Sequence, residues 1–166
     1  MMKQNCIIKM LVMDVDGTLT DGKIYMGQDG EILKAFNVKD GYAINEILPK
    51  HGITPIIITS RISKIVENRA NEIGIKFVHQ GVKDKLPLIK KIADENFVTL
   101  EEIAYIGDDL NDMDCIKVCG FTGCPSDAVT EIKNTVNFIS SKNGGNGAVR
   151  EFVEIIINRQ IPKKGD

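Results

Sequence analysis

Three short stretches constrain this chain more than anything else in it. They are "MLVM" just before Asp14, "ITPIIIT" at 53–59 and "IAYIG" at 103–107, each essentially free of polar residues. A strand with one wet face alternates apolar and polar residues. A strand apolar at every position is covered on both faces. Between these runs lie segments of helical period, so strands and helices alternate along the chain. That order predicts a mainly parallel, Rossmann-like α/β sheet flanked by helices. At 166 residues, one domain spanning 1–166 is the natural reading.

The remaining punctuation refines this picture. "GKIYMGQDGEILKAF" reads as a β-hairpin inserted after the first strand, its turn at Gly27-Gln28-Asp29-Gly30. Helices are expected over 40–49, 63–74, 83–96, 109–118, 126–134 and 147–158, with shorter strands in "IKFVHQ", "GFTG" and "VNFIS". Thr99-Leu-Glu-Glu102 has the form of a capping box.

Composition removes several function classes. There are 21 basic and 23 acidic residues, a net charge of −2, so no polyanion partner is indicated. Aromatic residues make up 5% with no Trp, which argues against a base-stacking nucleic-acid surface. The first apolar stretch runs straight into Asp14, unlike a signal peptide or a membrane span, so a cytoplasmic protein without membrane association is expected. Cys6, Cys115, Cys119 and Cys124 would then stay reduced. They lack the spacing of a metal site and read as small packing thiols.

In open parallel sheets, ligands sit beyond the carboxyl ends of the strands. The polar clusters of this chain fall there. Asp14 and Asp16 follow the first strand, and Thr59, Ser60 and Arg61 follow "ITPIII". Lys85 lies beyond "IKFVH", and Asp108, Asp109 and Asp112 follow "IAYIG". Each group also has an ordinary reading. The acids suit turns and helix N-termini, the hydroxyls suit caps, and Lys85 suits a solvated surface. Together the ordinary readings fail, because several carboxylates at one sheet edge repel one another unless a cation joins them. Oxygen-only donors point to Mg²⁺. Mg²⁺ with a hydroxyl, a lysine and a nucleophilic carboxylate points to phosphoryl transfer through an aspartyl-phosphate.

"DVDGTLTDG", "IIITSR", Lys85 and "IGDDLND" together resemble the four motifs of the haloacid-dehalogenase (HAD) phosphohydrolase superfamily. "LKAFNVKDGYAI", "HQGVKDK" and "GGNGAVREFV" extend the resemblance to its small cap-less family of sugar-acid phosphatases, across about 11–157. That family includes the enzymes for 3-deoxy-D-manno-octulosonate 8-phosphate (KDO 8-phosphate). The resemblance implies Asp14 as nucleophile and metal ligand. Asp16 would be general acid and base, ligating through its carbonyl, and Asp108 the third ligand, with Asp109 and Asp112 in support. It also implies phosphate binding by Thr59, Ser60 and Lys85, and sugar contacts from Asn37, Val38, Lys39, Asp40, Gly41, Arg61 and Arg69. It further implies a homotetramer, with a neighbour's 20–36 and 144–150 walling the site, and a place in lipopolysaccharide biosynthesis. Ser60, where relatives usually have Gly, and Asn45, where close relatives can carry Arg, depart from the pattern. Arg61 favours the eight-carbon sugar acid over a nonulosonate (KDN or sialic acid) 9-phosphate, the alternative substrate. A phospho-accepting signalling domain, or a non-catalytic module, is the alternative of another class.

Overall fold

The computed structural model describes residues 7–160; Cys6 and the basic tail lie outside the described residues. A six-stranded sheet forms the centre. Its strands are β1 (Met10–Met13), β4 (Thr54–Ile58), β5 (Phe77–His79), β6 (Ile103–Ile106), β7 (Phe121–Cys124) and β8 (Phe138–Ile139), in the order β5-β4-β1-β6-β7-β8. Every pairing in it is parallel. The hairpin β2 (Tyr25–Gly27) and β3 (Gly30–Leu33) stands apart as an antiparallel pair turning at 28–29.

The uninterrupted apolar runs have the reason expected of them. Leu11, Met13, Ile57, Ala104 and Ile106 face one apolar layer; Met10, Val12, Ile56, Ile58, Ile103 and Tyr105 face the other. Side chains one residue apart point to opposite faces, so a strand between two layers is apolar throughout. The first layer is closed by the turn that follows α1 (Val38–Tyr42) and by α2 (Leu48–Lys50), α3 (Lys64–Glu72) and α7 (Ala148–Gln160), through Ala43, Ile44, Leu48, Val66, Ala70, Phe152 and Val153. The second is closed by α4 (Lys85–Glu95), α5 (Met113–Ile116) and α6 (Thr130–Lys133), through Ile89, Ile92, Cys115 and Ile132. A π-helical turn, Ala43–Ile47, joins α1 to α2 ahead of Pro49, which has no N–H to continue a regular ladder.

Two expected helices are shorter than their patterns. Residues 109–118 divide into a 3₁₀ turn, Leu110–Asp112, and α5, because Asp109 and Asp112 cap one another and tighten the first turn. Residues 126–129 stay outside α6 because the Val129 N–H donates to the Asp108 carbonyl at 3.0 Å. The capping box at Thr99 and Glu102 is formed as read. Cys115 and Cys124 are buried and free, and burial pushes their thiols up to about 12 and about 11. They are therefore inert packing groups.

Candidate active site

β1 ends at Met13, and the chain immediately winds around one carbonyl. Val15 O accepts the N–H groups of Thr18, Leu19 and Thr20 at 3.2, 2.9 and 3.0 Å. Gly17 makes this turn possible. Its φ is +93°, and a Cβ there would overlap the Asp108 carboxylate. The loop thereby lies directly against the residues that follow β6, where Thr18 Oγ1 donates to Asp108 Oδ1 at 3.1 Å. From the other side, Gly144 packs on the Gly17 carbonyl and leaves no room for a side chain. Gly145 N donates to Thr18 O at 3.0 Å.

Lys85 opens α4 with a fully buried side chain, and its Nζ donates at 2.6 Å to both Asp14 Oδ1 and Asp112 Oδ1. Asp112 is saturated. Tyr105 OH donates to Oδ1 at 2.5 Å, and the Asp108 and Asp109 N–H groups donate to Oδ2 at 3.0 and 3.4 Å. Carboxylate oxygens of Asp14, Asp108 and Asp112 lie within 4.8 Å of one another. Asp112 thus orients the lysine and the 108–109 backbone, and Asp14 and Asp108 have oxygen atoms to offer a ligand.

Two carboxylates share one buried ammonium with Asp108 close by, and the imbalance shows in the titration of Asp14 and Asp108. Burial, then the Asp112 charge, pushes Asp14 up to about 7 against the pull of Lys85. Burial, then Asp14 and Asp112, pushes Asp108 up to about 8 against the Thr18 hydrogen bond. Burial opposes the charge on Lys85, but Asp14 and Asp112 outweigh it and raise its pKa. A buried, oxygen-only group with surplus negative charge fits a hard divalent cation such as Mg²⁺.

The other expected site residues divide. Thr59 is buried at the tip of β4, its backbone joined to His79 O and Val82 N at 2.9 and 3.1 Å. Ser60 donates its hydroxyl proton to Val82 O at 3.1 Å and accepts from Asn111 at 3.3 Å. That hydroxyl ties two loops together. Asp109 is exposed and caps the turn at Leu110. Arg61 reaches Asp16, with Nε 3.8 Å from Oδ2.

The segment 37–41 divides between exposed and buried residues. Val38 and Lys39 are exposed on α1, but Asp40 and Gly41 are buried. Asp40 Oδ1 accepts the Arg150 N–H at 2.7 Å, capping α7 from a distance. Asn37 caps α1 through Lys39 N at 2.8 Å and reaches Gly145 O at 3.5 Å. Asn37, Asp40, Gly41 and Arg69 line a cavity of about 10 Å³, room for a water. Arg69 pairs with Glu72 at 2.9 Å and lies over the Phe36 ring. Within this chain Arg69 is held by that pairing and packing.

Sequence reasoning missed four polar residues here: Thr18, Tyr105, Glu31 and Lys34. Lys34, just past β3, has no side-chain exposure and pairs with Asp16 and, at 2.8 Å, with Glu31. Its one sequence signal is a lysine between apolar residues in "EILKAF", three residues after Glu31; its other partner, Asp16, lies outside any local pattern.

A family model of haloacid dehalogenase-like hydrolases matches residues 58–152. The chain is 40% identical over 158 residues to the 3-deoxy-D-manno-octulosonate 8-phosphate phosphatase KdsC of Yersinia pestis, covering 95% of this chain and 84% of that one. The chain belongs to the haloacid dehalogenase-like hydrolase family. A Moraxella catarrhalis 3-deoxy-D-manno-octulosonate 8-phosphate phosphatase, in complex with magnesium, phosphate and KDO, superposes with a TM-score of 0.88 at 40% identity, covering 92% of this chain and 87% of that one. A cobalt-bound Haemophilus influenzae enzyme superposes equally well, 0.88 at 36% identity, over 92% of this chain and 89% of that one. The hydrolase match takes in Thr59, Lys85 and Asp108–Asp112; the Asp14 loop packs onto that span through Asp108 and Lys85.

Proposed function

We propose that this chain is a Mg²⁺-dependent phosphoric monoester hydrolase whose substrate is KDO 8-phosphate, cleaved to KDO and phosphate. The observation that carries the reading is the meeting of Asp14, Asp108 and Lys85 at the tips of separate elements. Its relatives of 40% identity bear that activity in their names, and one is solved with magnesium, phosphate and KDO.

Asp14 is the nucleophile. Lys85 holds Oδ1, which leaves the other oxygen to attack phosphorus. As the Asp14–phosphorus bond forms, the bond to the sugar oxygen breaks, and Asp16 gives that oxygen a proton. Asp16 then takes a proton from the water that hydrolyses the aspartyl-phosphate. Such assistance is typically worth ~10²–10⁴ in rate. Asp14, Asp108 and the Asp16 carbonyl would hold the metal, which neutralises charge on the phosphoryl oxygens when bound. Lys85 and Thr59 serve those oxygens from the protein side, and Arg61 receives the sugar carboxylate.

Among the described residues, no helix is long and apolar enough to cross a membrane. A cytoplasmic homotetramer serving lipopolysaccharide biosynthesis is part of the same proposal, supported by apolar side chains exposed on the hairpin. A substrate panel tests the reading. KDO 8-phosphate should turn over repeatedly with Mg²⁺ and not with a chelator, and Asp14→Asn should abolish turnover. A preference for a nonulosonate 9-phosphate would move the assignment to the nine-carbon class. Retention of the phosphoryl group, without turnover, would make the chain a signalling domain instead.

A further inference from the structure

The mouth of the site is a closed ring of alternating charge. Lys34 Nζ bridges Asp16 Oδ1 and, at 2.8 Å, Glu31 Oε1. Arg61 closes the ring, with one guanidinium nitrogen 3.5 Å from the same Glu31 oxygen and Nε 3.8 Å from Asp16 Oδ2. Ser63 donates to the remaining Glu31 oxygen at 2.5 Å. Glu31 and Lys34 both come from the hairpin, and the reaction above uses neither. Lys34 is fully buried, which is costly unless carboxylates meet it. Arg61 keeps 45% of its side chain exposed, so the ring faces solvent on its arginine side.

An ammonium and a guanidinium converging on one carboxylate oxygen form an anion site that is already filled. We propose that Glu31 stands in the place of the substrate's carboxylate, and that Lys34 and Arg61 are the pair that binds it once Glu31 is displaced. This rests on the sugar-acid phosphate reading. The exchange replaces one carboxylate by another, so neither cation is left unpaired. A phosphate ester with no carboxylate cannot make the exchange and must bind with Glu31 still in place. Glu31 therefore weakens binding of the true substrate while rejecting neutral sugar phosphates, a specificity built on competition. Lys34 is a specificity residue by direct contact, and Glu31 is one by its removal.

The experiment compares KM for KDO 8-phosphate and for p-nitrophenyl phosphate, which has no carboxylate. Glu31→Gln should lower the KM for KDO 8-phosphate relative to that for the aryl ester. Lys34→Met should raise it about tenfold relative to the aryl ester, the worth of one charge-assisted contact. The charge-conserving double variant Glu31→Gln with Lys34→Met should follow Lys34→Met. Opposite movement of the KM ratio in the two single variants supports the assignment. A ratio unchanged in both, or raised in both, shows that the ring only braces the hairpin and overturns it. Wild-type turnover of the aryl ester but not of KDO 8-phosphate overturns the sugar-acid reading and this inference together. Wild-type turnover of both esters with an unmoved ratio overturns this inference alone.

Discussion

Lys85 stands in the first turn of a helix, where the dipole disfavours a cation, yet its side chain is fully buried. Two carboxylates at 2.6 Å explain it, and they explain why the residue carried a functional signal in the sequence. The same neighbourhood sets a pH dependence. Asp14 and Asp108 have folded-state values of about 7 and about 8, against about 4 for an unfolded chain. The metal-free folded protein therefore holds more protons than the unfolded one between about pH 4 and 8, and its stability falls as pH rises through that window. Mg²⁺ must displace those protons. Its affinity should rise from pH 6 to pH 8, with proton release measurable by calorimetry in buffers of different ionisation enthalpy. Affinity independent of pH over that range would remove Asp14 and Asp108 from the ligand set.

At the scale of elements, the connection that most affects the site lies behind it. Asp40 on α1 caps α7, accepting from Arg150 N at 2.7 Å. The segment just before α7 carries Gly144 and Gly145, which lie on Gly17 and Thr18. Asp40→Ala should cost about 1–2 kcal/mol, the value of a lost cap, and lower the Tm by roughly 2–8 °C for a chain of this size. It should also lower kcat, because the Asp14 loop loses its backing. Asp40→Asn keeps an acceptor for the Arg150 N–H and should stay within about 1 kcal/mol of the parent. Thermal melting and steady-state kinetics of both variants check this. Equal losses in the two would mean that the charge, not the cap, is what matters.

At the scale of the whole molecule, the hairpin exposes Tyr25, Met26, Ile32 and Leu33, with Met26 and Ile32 more than 60% exposed. A contiguous apolar patch of this kind marks a contact surface. Replacing both Met26 and Ile32 by Glu should reduce the proposed tetramer to smaller species in sedimentation velocity; a monomeric parent would end that proposal. The sequence alone determined the sheet, the helices around it and the acidic tips of β1 and β6. Continuous apolar runs can only be strands covered on both faces, and carboxylates that end such runs are locally visible. Local patterns also exposed Lys85 and the hairpin turn. Tertiary structure alone decided which polar residues meet. The hairpin reading singled out neither Glu31 nor Lys34, and Asp40 entered only as a sugar contact implied by the resemblance. Tyr105 reads as one more apolar strand residue. Each found its role through a partner brought close only by folding: Arg61 for Glu31, Asp16 for Lys34, Arg150 for Asp40 and Asp112 for Tyr105. Periodicity reports what a residue is covered by, whereas a hydrogen bond or ion pair depends on a second chain segment whose distance no local pattern encodes.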